Sequence, residues 1–313
     1  MKFSLTILGV NSAIPANGRV PTSQILQVQS EKFLIDCGEG CQIRMDQYGI
    51  GRSYINQIFL SHLHGDHLFG LPGLLYSFSL NRRKQALHLY APQSELLRQM
   101  LLNLLSAQGE LGFELVFHDA AASPGNVRLV FENELLSVHS FPLVHRVPTV
   151  GYLFREKQRP RNIIPEKISE YGLTVEQILE AKSGEQVRLP DGRALDPEEL
   201  TLPPPEPRSY AYASDTMYSE DIVPVVAGVD LLYHEATFAH DLADYAAETM
   251  HSTARQAAEI ALKARVKKLI LGHYSSRYKE LAPLLSEAKE VFPNTVLGEE
   301  GRVYEVPFRS ARK

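Results

Sequence analysis

A chain of 313 residues, 44% hydrophobic and 22% charged, is an ordinary globular composition, long enough for one large domain or two around a substantial core. No apolar run reaches the roughly 20 residues that span a bilayer, and Met1–Gly9 has neither the apolar region nor the cleavage site of a secretory leader. The net charge of −5 excludes a global basic field for nucleic acid, so any RNA contact has to come from local patches.

In chain order, Phe3–Leu8, Ile25–Val28, Phe33–Ile35, Ile55–Leu60 and Leu87–Tyr90 are short β-rich runs, and Glu95–Ala107 has helical spacing. Cys37 and Cys41, the two cysteines, stand close together in DCGEGC. That is a poor disulfide framework, and the pair is expected to be buried small residues of a reduced, cytoplasmic protein. Composition changes near Glu156. From there to about Arg208 the chain is polar and rich in Glu, Pro and Gly, with Val175–Ala181 as one short helix and a proline run, Leu202–Pro207, at the exit. Two basic patches stand out. Arg146, Arg155, Lys157, Arg159, Arg161 and Lys167 face only Glu156 and Glu166, and Arg82-Arg83-Lys84 is the other. The β/α alternation then resumes with Tyr210–Ala213, Val229–Tyr233, a helix from Thr253, Leu269–Leu271 and a helix around Leu281–Val291. This pattern reads as one α/β core over residues 1–313, interrupted by an arm over 156–208, a length that usually signals function in a compact domain.

Chemistry concentrates in His62-Leu-His64-Gly-Asp66-His67, between the apolar runs Ile55–Leu60 and Leu68–Leu80. Three imidazoles and a carboxylate on one strand-to-helix loop are the mixed donors that a borderline cation such as zinc prefers. His62 and His64 point one way, while Asp66 and His67 lie further along and can serve a second ion. One loop cannot complete two sites. His145 after Leu135–Val144, Asp215 after Tyr210–Ala213 and His273 after Leu269–Leu271 each follow an apolar strand, where α/β proteins gather ligands. Asp215, as a carboxylate, can bridge two cations. His88, His118, His139 and His240 are expected to be non-ligands: His88 and His139 lie within strand-like runs, and His118 in a polar boundary.

The order H-x-H-x-D-H, a distant His, an Asp and a final His resembles the metallo-β-lactamase superfamily. His234-Glu235-Ala236-Thr237, His251-Ser252-Thr253, Gly9-Val-Asn-Ser12 with Pro15, Arg19 and Thr22, Asp36-Cys-Gly-Glu-Gly40 and His273-Tyr-Ser-Ser-Arg277-Tyr278 narrow the likeness to the ribonuclease Z family. The resemblance implies an α/β fold: an αββα sandwich of two mixed sheets flanked by helices. It implies two zinc ions per subunit, with His62, His64 and His145 holding one, Asp66, His67 and His273 the other, and Asp215 between them. Asp66 would take the proton of the attacking water, and Asp36 would orient the loop. His251, held by Glu235, would stand near the leaving 3′ oxygen as a general acid. His251 also precedes a helix start, whose apolar face is expected to be Ala254, Ala257, Ala258, Ala261 and Leu262.

The implied activity is endonucleolytic removal of the 3′ trailer of tRNA precursors, leaving a 3′-hydroxyl on the tRNA. The partners would be precursor tRNA gripped by the arm and a second copy in a homodimer, with no membrane. In place of the arm's usual Gly-Pro tip the chain carries Tyr171-Gly-Leu-Thr-Val. A small-substrate phosphodiesterase on the same centre and a non-catalytic RNA-binding relative are the alternative readings. The complete ligand set opposes the second, and a fifty-residue handle opposes the first. A redox di-iron relative would carry a carboxylate at the position of His64.

Overall fold

The computed structural model describes residues 2–106 and 109–308, so Ala107, which closes the expected helix Glu95–Ala107, lies outside the described residues. The first part of the chain lays down β1 (Phe3–Gly9), β2 (Ser23–Val28), β3 (Glu31–Cys37), α1 (Cys41–Gln47), β4 (Ile55–Phe59), α2 (Gly65–Leu68), α3 (Leu71–Leu80), β5 (Leu87–Ala91), α4 (Ser94–Leu105) and β6 (Leu115–Asp119). His118 therefore sits inside a strand, paired with Tyr90, rather than in a polar boundary. A second run gives β7 (Arg128–Glu132), β8 (Leu136–Leu143) and β9 (Thr149–Glu156).

An inserted segment follows, with β10 (Asn162–Ile163), α5 (Pro165–Tyr171), α6 (Val175–Ser183), β11 (Val187–Arg188), β12 (Ala194–Leu195), α7 (Pro197–Leu200) and β13 (Thr201–Leu202). The core resumes with β14 (Ser209–Ala213), β15 (Leu231–Glu235), α8 (Ala243–Thr249), α9 (Ala254–Lys263), β16 (Leu269–Gly272), α10 (Ala282–Val291), β17 (Thr295–Leu297) and β18 (Val303–Glu305).

These strands form two seven-stranded mixed sheets, ordered β18-β1-β2-β3-β4-β5-β6 and β17-β16-β15-β14-β9-β8-β7. Side chains alternate across each strand, and both faces of the first sheet are buried. Ile7, Leu26, Phe33, Ile35, Phe59 and Tyr90 belong to the core shared with the second sheet. Their neighbours Leu8, Ile25, Leu34, Ile58 and Leu89 pack with Leu71, Leu74, Phe78, Leu97 and Leu101 of α3 and α4. Aromatic rings join the two sheets, with Phe59 edge-on to Tyr152 at 5.2 Å and Phe33 tilted against Phe154 at 6.2 Å. On the other side α9 packs on β15, β16 and α10. Ala254, Ala257, Ala258 and Ala261 are buried as the spacing predicts, but Leu262 is exposed and Ile260 takes its place. A helix held between a sheet and a second helix buries a face shifted from the one its alanines alone suggest. Thr253 starts α9 with a capping box shared with Gln256.

The described residues fall into two compact units. One runs to Arg155 and from Ser209 to Val306; the other holds Glu156–Arg208 with Pro307 and Phe308. The second unit is more ordered than one short helix. It has three helices, two two-stranded sheets and its own core of Leu173, Ala181, Val187, Leu189, Leu195 and Leu200. At its root Arg208 meets both carboxylate oxygens of Glu156 at 2.8 Å, and the Phe308 ring lies 4.0 Å from the guanidinium. Burial raises the Glu156 pKa, but the hydrogen bonds and charge of Arg208 outweigh it and hold the carboxyl below its ordinary value. Three of the six cations of the basic patch are compensated, since Arg159 pairs with Glu156, Arg161 with Glu198 and Lys167 with Glu170.

Candidate metal centre

Parallel strands deliver the chemistry to one edge of the sandwich. β3 and β4 run parallel in the first sheet, and β14, β15 and β16 in the second. The loops beyond β4, β8, β14 and β16 carry His62–His67, His145, Asp215 and His273, and β15 itself ends on Glu235. Gly38, just past β3, lies under the first loop. A Cβ there would come within 2.4 Å of the Asp66 carbonyl oxygen, so the close approach requires glycine.

All seven expected donors converge. One group joins His62, His64, His145 and Asp215, the other Asp66, His67, Asp215 and His273, each with ligand atoms within 4.8 Å of one another. Asp215 belongs to both. Its Oδ1 is 3.2 Å from both His67 Nε2 and His273 Nε2, and its Oδ2 is 3.8 Å from both His62 Nε2 and His145 Nε2.

Four of the five rings are held from behind. His67 Nδ1 donates to Asp36 Oδ2 at 2.7 Å and His145 Nδ1 to the Met250 carbonyl at 3.0 Å. Ser61 Oγ donates to Asp36, and Thr237 Oγ1 to Glu235, so these hydroxyls accept from His62 Nδ1 (3.0 Å) and His273 Nδ1 (2.9 Å). The bonds at Nδ1 leave the Nε2 atoms of these four rings aimed at the centre, the usual arrangement behind metal-bound imidazoles. Asp36 is itself fully buried and also accepts from Ser61 N and from the Tyr212 hydroxyl at 2.5 Å. Tyr212, an ordinary strand residue in sequence, gave no signal of this role.

The donor set fits a cation. His62 Nε2 is buried without a hydrogen-bond partner among the described residues. Burial lowers the His62 pKa well below its ordinary value, with His67 adding to the effect, so the ring is neutral and able to coordinate. Burial would raise Asp215, yet His273, His67 and His62 hold it well below the carboxylate range. Burial likewise opposes charge on His67, but Asp215, Asp66 and Asp36 raise its pKa well above the ordinary value: the pocket demands positive charge.

Beside the donors lies a proton pair. Glu235 is fully buried and accepts from Thr216 N (2.9 Å), Thr237 N (3.1 Å), Thr237 Oγ1 (2.6 Å) and His251 Nδ1 (2.9 Å). Glu235, His251 and His273 also satisfy the distances of a metal group, but those four bonds use the carboxylate's lone pairs. Burial lowers the His251 pKa, but the Glu235 carboxylate outweighs it and raises the value to about 9. His251, His64, His145, Asp66, Asp215 and His273 open into one cavity of about 320 Å³. A larger cleft of about 640 Å³ beside α4 and β6 has apolar walls, including Leu102, Leu105 and Phe113, and none of these groups.

Four non-glycine residues here take left-handed backbone: Ala13 (φ 60), Asp36 (φ 53), Met250 (φ 58) and His273 (φ 58). Of the expected non-ligands, His88 and His118 pair with each other at 2.9 Å, His240 contacts Thr253, and His139 lies within β8; none joins the donor groups. Cys37 and Cys41 are buried free thiols, and Cys41 Sγ accepts a hydrogen bond from Ser23 Oγ. No helix of the described residues is long and apolar enough to cross a membrane.

The paired sheets and the His/Asp edge define a metal-dependent hydrolase of the metallo-β-lactamase fold. In agreement, the chain superposes on the metallo-β-lactamase fold protein YhfI from Bacillus subtilis with a TM-score of 0.68 at 18% identity, over 97% of this chain and 99% of that one. The short form of human tRNase Z matches at TM-score 0.70 and 26% identity, over 97% and 99%. The family profile of Anti-Pycsar protein Apyc1 matches residues 3–154. Ribonuclease Z of Parabacteroides distasonis is 46% identical over 96% of this chain and 97% of its own, and that of Bacteroides fragilis 43% identical over 96% and 97%. The chain belongs to the ribonuclease Z family, the metal-dependent endonucleases of tRNA 3′ processing.

Proposed function

We propose that the two donor groups hold two zinc ions, one on His62, His64 and His145 and one on Asp66, His67 and His273, with Asp215 shared. The observation that carries this reading is the orphaned, buried Nε2 of His62 within a ring of imidazole nitrogens and carboxylates. Nitrogen donors mixed with carboxylates are a zinc-type set. When bound, two such ions make water a nucleophile at neutral pH and stabilise the attacking and leaving oxygens of a phosphodiester displacement.

The chain's own residues do the rest. Asp66 accepts a hydrogen bond from Ala13 N at 2.7 Å and is held as a carboxylate, ready to take the proton of the attacking water. His251, charged at neutral pH against Glu235, donates a proton from its other nitrogen to the leaving 3′ oxygen. The arm, 156–208, binds the body of precursor tRNA and contributes no donor to the centre. The family resemblance implies a homodimer, and Leu96, Met100 and Leu104, exposed at helical spacing on α4, offer apolar surface for it.

Incubation with a 3′-extended tRNA precursor and mapping of the cut tests the whole reading. The expected product is tRNA with a 3′-hydroxyl; a random ladder or an uncut precursor overturns it.

A further inference from the structure

Two arginines at the metal cavity have no part in the chemistry described so far. Arg277 lies four residues beyond His273 of one donor group, and Arg146 follows His145 of the other; both line the same cavity. Arg277 is fixed from three sides. Its Nε donates to Ser275 Oγ at 3.1 Å, and its guanidinium carbon lies 4.8 Å from the Phe238 ring centroid and 5.1 Å from that of Tyr245. Those rings meet edge to face at 5.3 Å. The two terminal nitrogens have no partner among the described residues. Arg146 donates to the Glu248 carbonyl at 3.2 Å, and among the described residues no carboxylate pairs with it. A guanidinium stacked on two rings loses little freedom on binding, and its fork matches two phosphate oxygens. Arg44, by contrast, spends its charge on Glu300. These two keep their charge for something else.

We propose that Arg146 and Arg277 grip the two phosphodiesters on either side of the one that is cleaved, so that the centre engages an RNA backbone of three consecutive phosphates. The proposal rests on the dinuclear reading above, which puts the cleaved phosphate between the two donor groups. Each donor group then has one arginine close to it in the chain, and both arginines line the cavity into which the donor groups open, Arg277 over Tyr245 and Arg146 on the Glu248 carbonyl of α8. A small diester has only the middle contact, which makes the arginines the feature that favours a polymer.

The test couples protein and substrate changes. Precursor RNA is made with a single neutral methylphosphonate one linkage upstream or downstream of the cut, and kcat/KM is measured for wild type, Arg146→Ala and Arg277→Ala. Each alanine variant is expected to lose about 10- to 100-fold on all-phosphate RNA, the size of a lost charge-assisted contact. Neutralising one linkage should cost wild type a similar factor. That same linkage should cost its own arginine variant nothing further, and the two arginines should answer to different linkages. Losses that multiply for every arginine and linkage, or both arginines answering to one linkage, overturn the proposal.

Arg277→Gln keeps a side chain against Phe238 and Tyr245 and must show the same coupling if alanine fails to fold; metal content is measured for every variant. The wild-type cut site tests the tRNA reading by itself. The coupling cycles, run on whichever RNA the wild type cleaves, test the arginines.

Discussion

The seven candidate donors come from loops as far apart as residues 62 and 273, yet sequence names all seven of these residues that the structure brings together; the arm is one continuous segment, and sequence shows little of its interior. The difference lies in what each region is made of. The centre is built from residue types that are rare and chemically committed, each set at the end of a strand with a clear apolar run. Its second layer, Ser61, Tyr212, Thr237 and the Met250 carbonyl, is made of common groups and surfaces only in three dimensions. The arm's core is six small or aliphatic side chains scattered between turns over Leu173–Leu200, too sparse for either period to register. Rarity makes a site legible, and ordinariness hides a module.

If that division is physical, changes to the two regions will separate metal binding from substrate binding. The largest effect is expected at the shared carboxylate. Asp215→Ala should lose bound metal and nearly all activity on any phosphodiester, read by elemental analysis and a chromogenic diester. Full metal occupancy in this variant would remove Asp215 from the shared position.

Next is the proton pair. His251→Ala should keep its metal and cut precursor RNA about 10²–10⁴-fold more slowly, while a nitrophenyl diester, whose leaving group needs little protonation, suffers less. Equal losses on both substrates would leave His251 a positioning residue at the start of α9.

Replacing residues 157–207 with a short Gly-Ser linker should spare metal content and chromogenic turnover and cost precursor cleavage about tenfold or more, because remote binding energy is lost without touching the centre. Normal tRNA processing by this protein would put the grip elsewhere. Most arm cations are already paired with acids, so the salt dependence of tRNA binding should fall by only about one unit of log–log slope for each true phosphate contact removed.

The smallest effect separates the regions by acidity. Arg208 holds Glu156 below its ordinary carboxyl value of 4.5, so the pair's contribution is complete above that pH and is lost as pH falls through the folded value. Protection of the arm backbone in hydrogen exchange should drop over that range while the catalytic unit holds. In Glu156→Gln, arm protection should be low already at pH 7 and no longer depend on pH. An arm whose protection ignores both acid and this substitution is not anchored by the pair.

Sequence also missed that the helix from Thr253 buries Ile260 rather than Leu262, and that His118 sits within a strand. Both misses share a cause. Spacing within one element says which residues share a face, but the neighbour that covers the face comes from elsewhere in the chain.

The left-handed residues Asp36, Met250 and His273 have an evolutionary consequence. Each would be relieved by glycine, because an L side chain in that conformation costs roughly 1–2 kcal/mol. At Asp36 and His273 the side chain is what the centre uses, so mutational drift toward the easier residue is closed and the strain is inherited with the function. Met250 contributes only its carbonyl to His145, which glycine also has. Met250→Gly should therefore keep activity and raise thermal stability by at most about 1 kcal/mol after the greater freedom of the unfolded chain is subtracted. Of the three positions, this is the one where descendants of this chain are free to choose comfort.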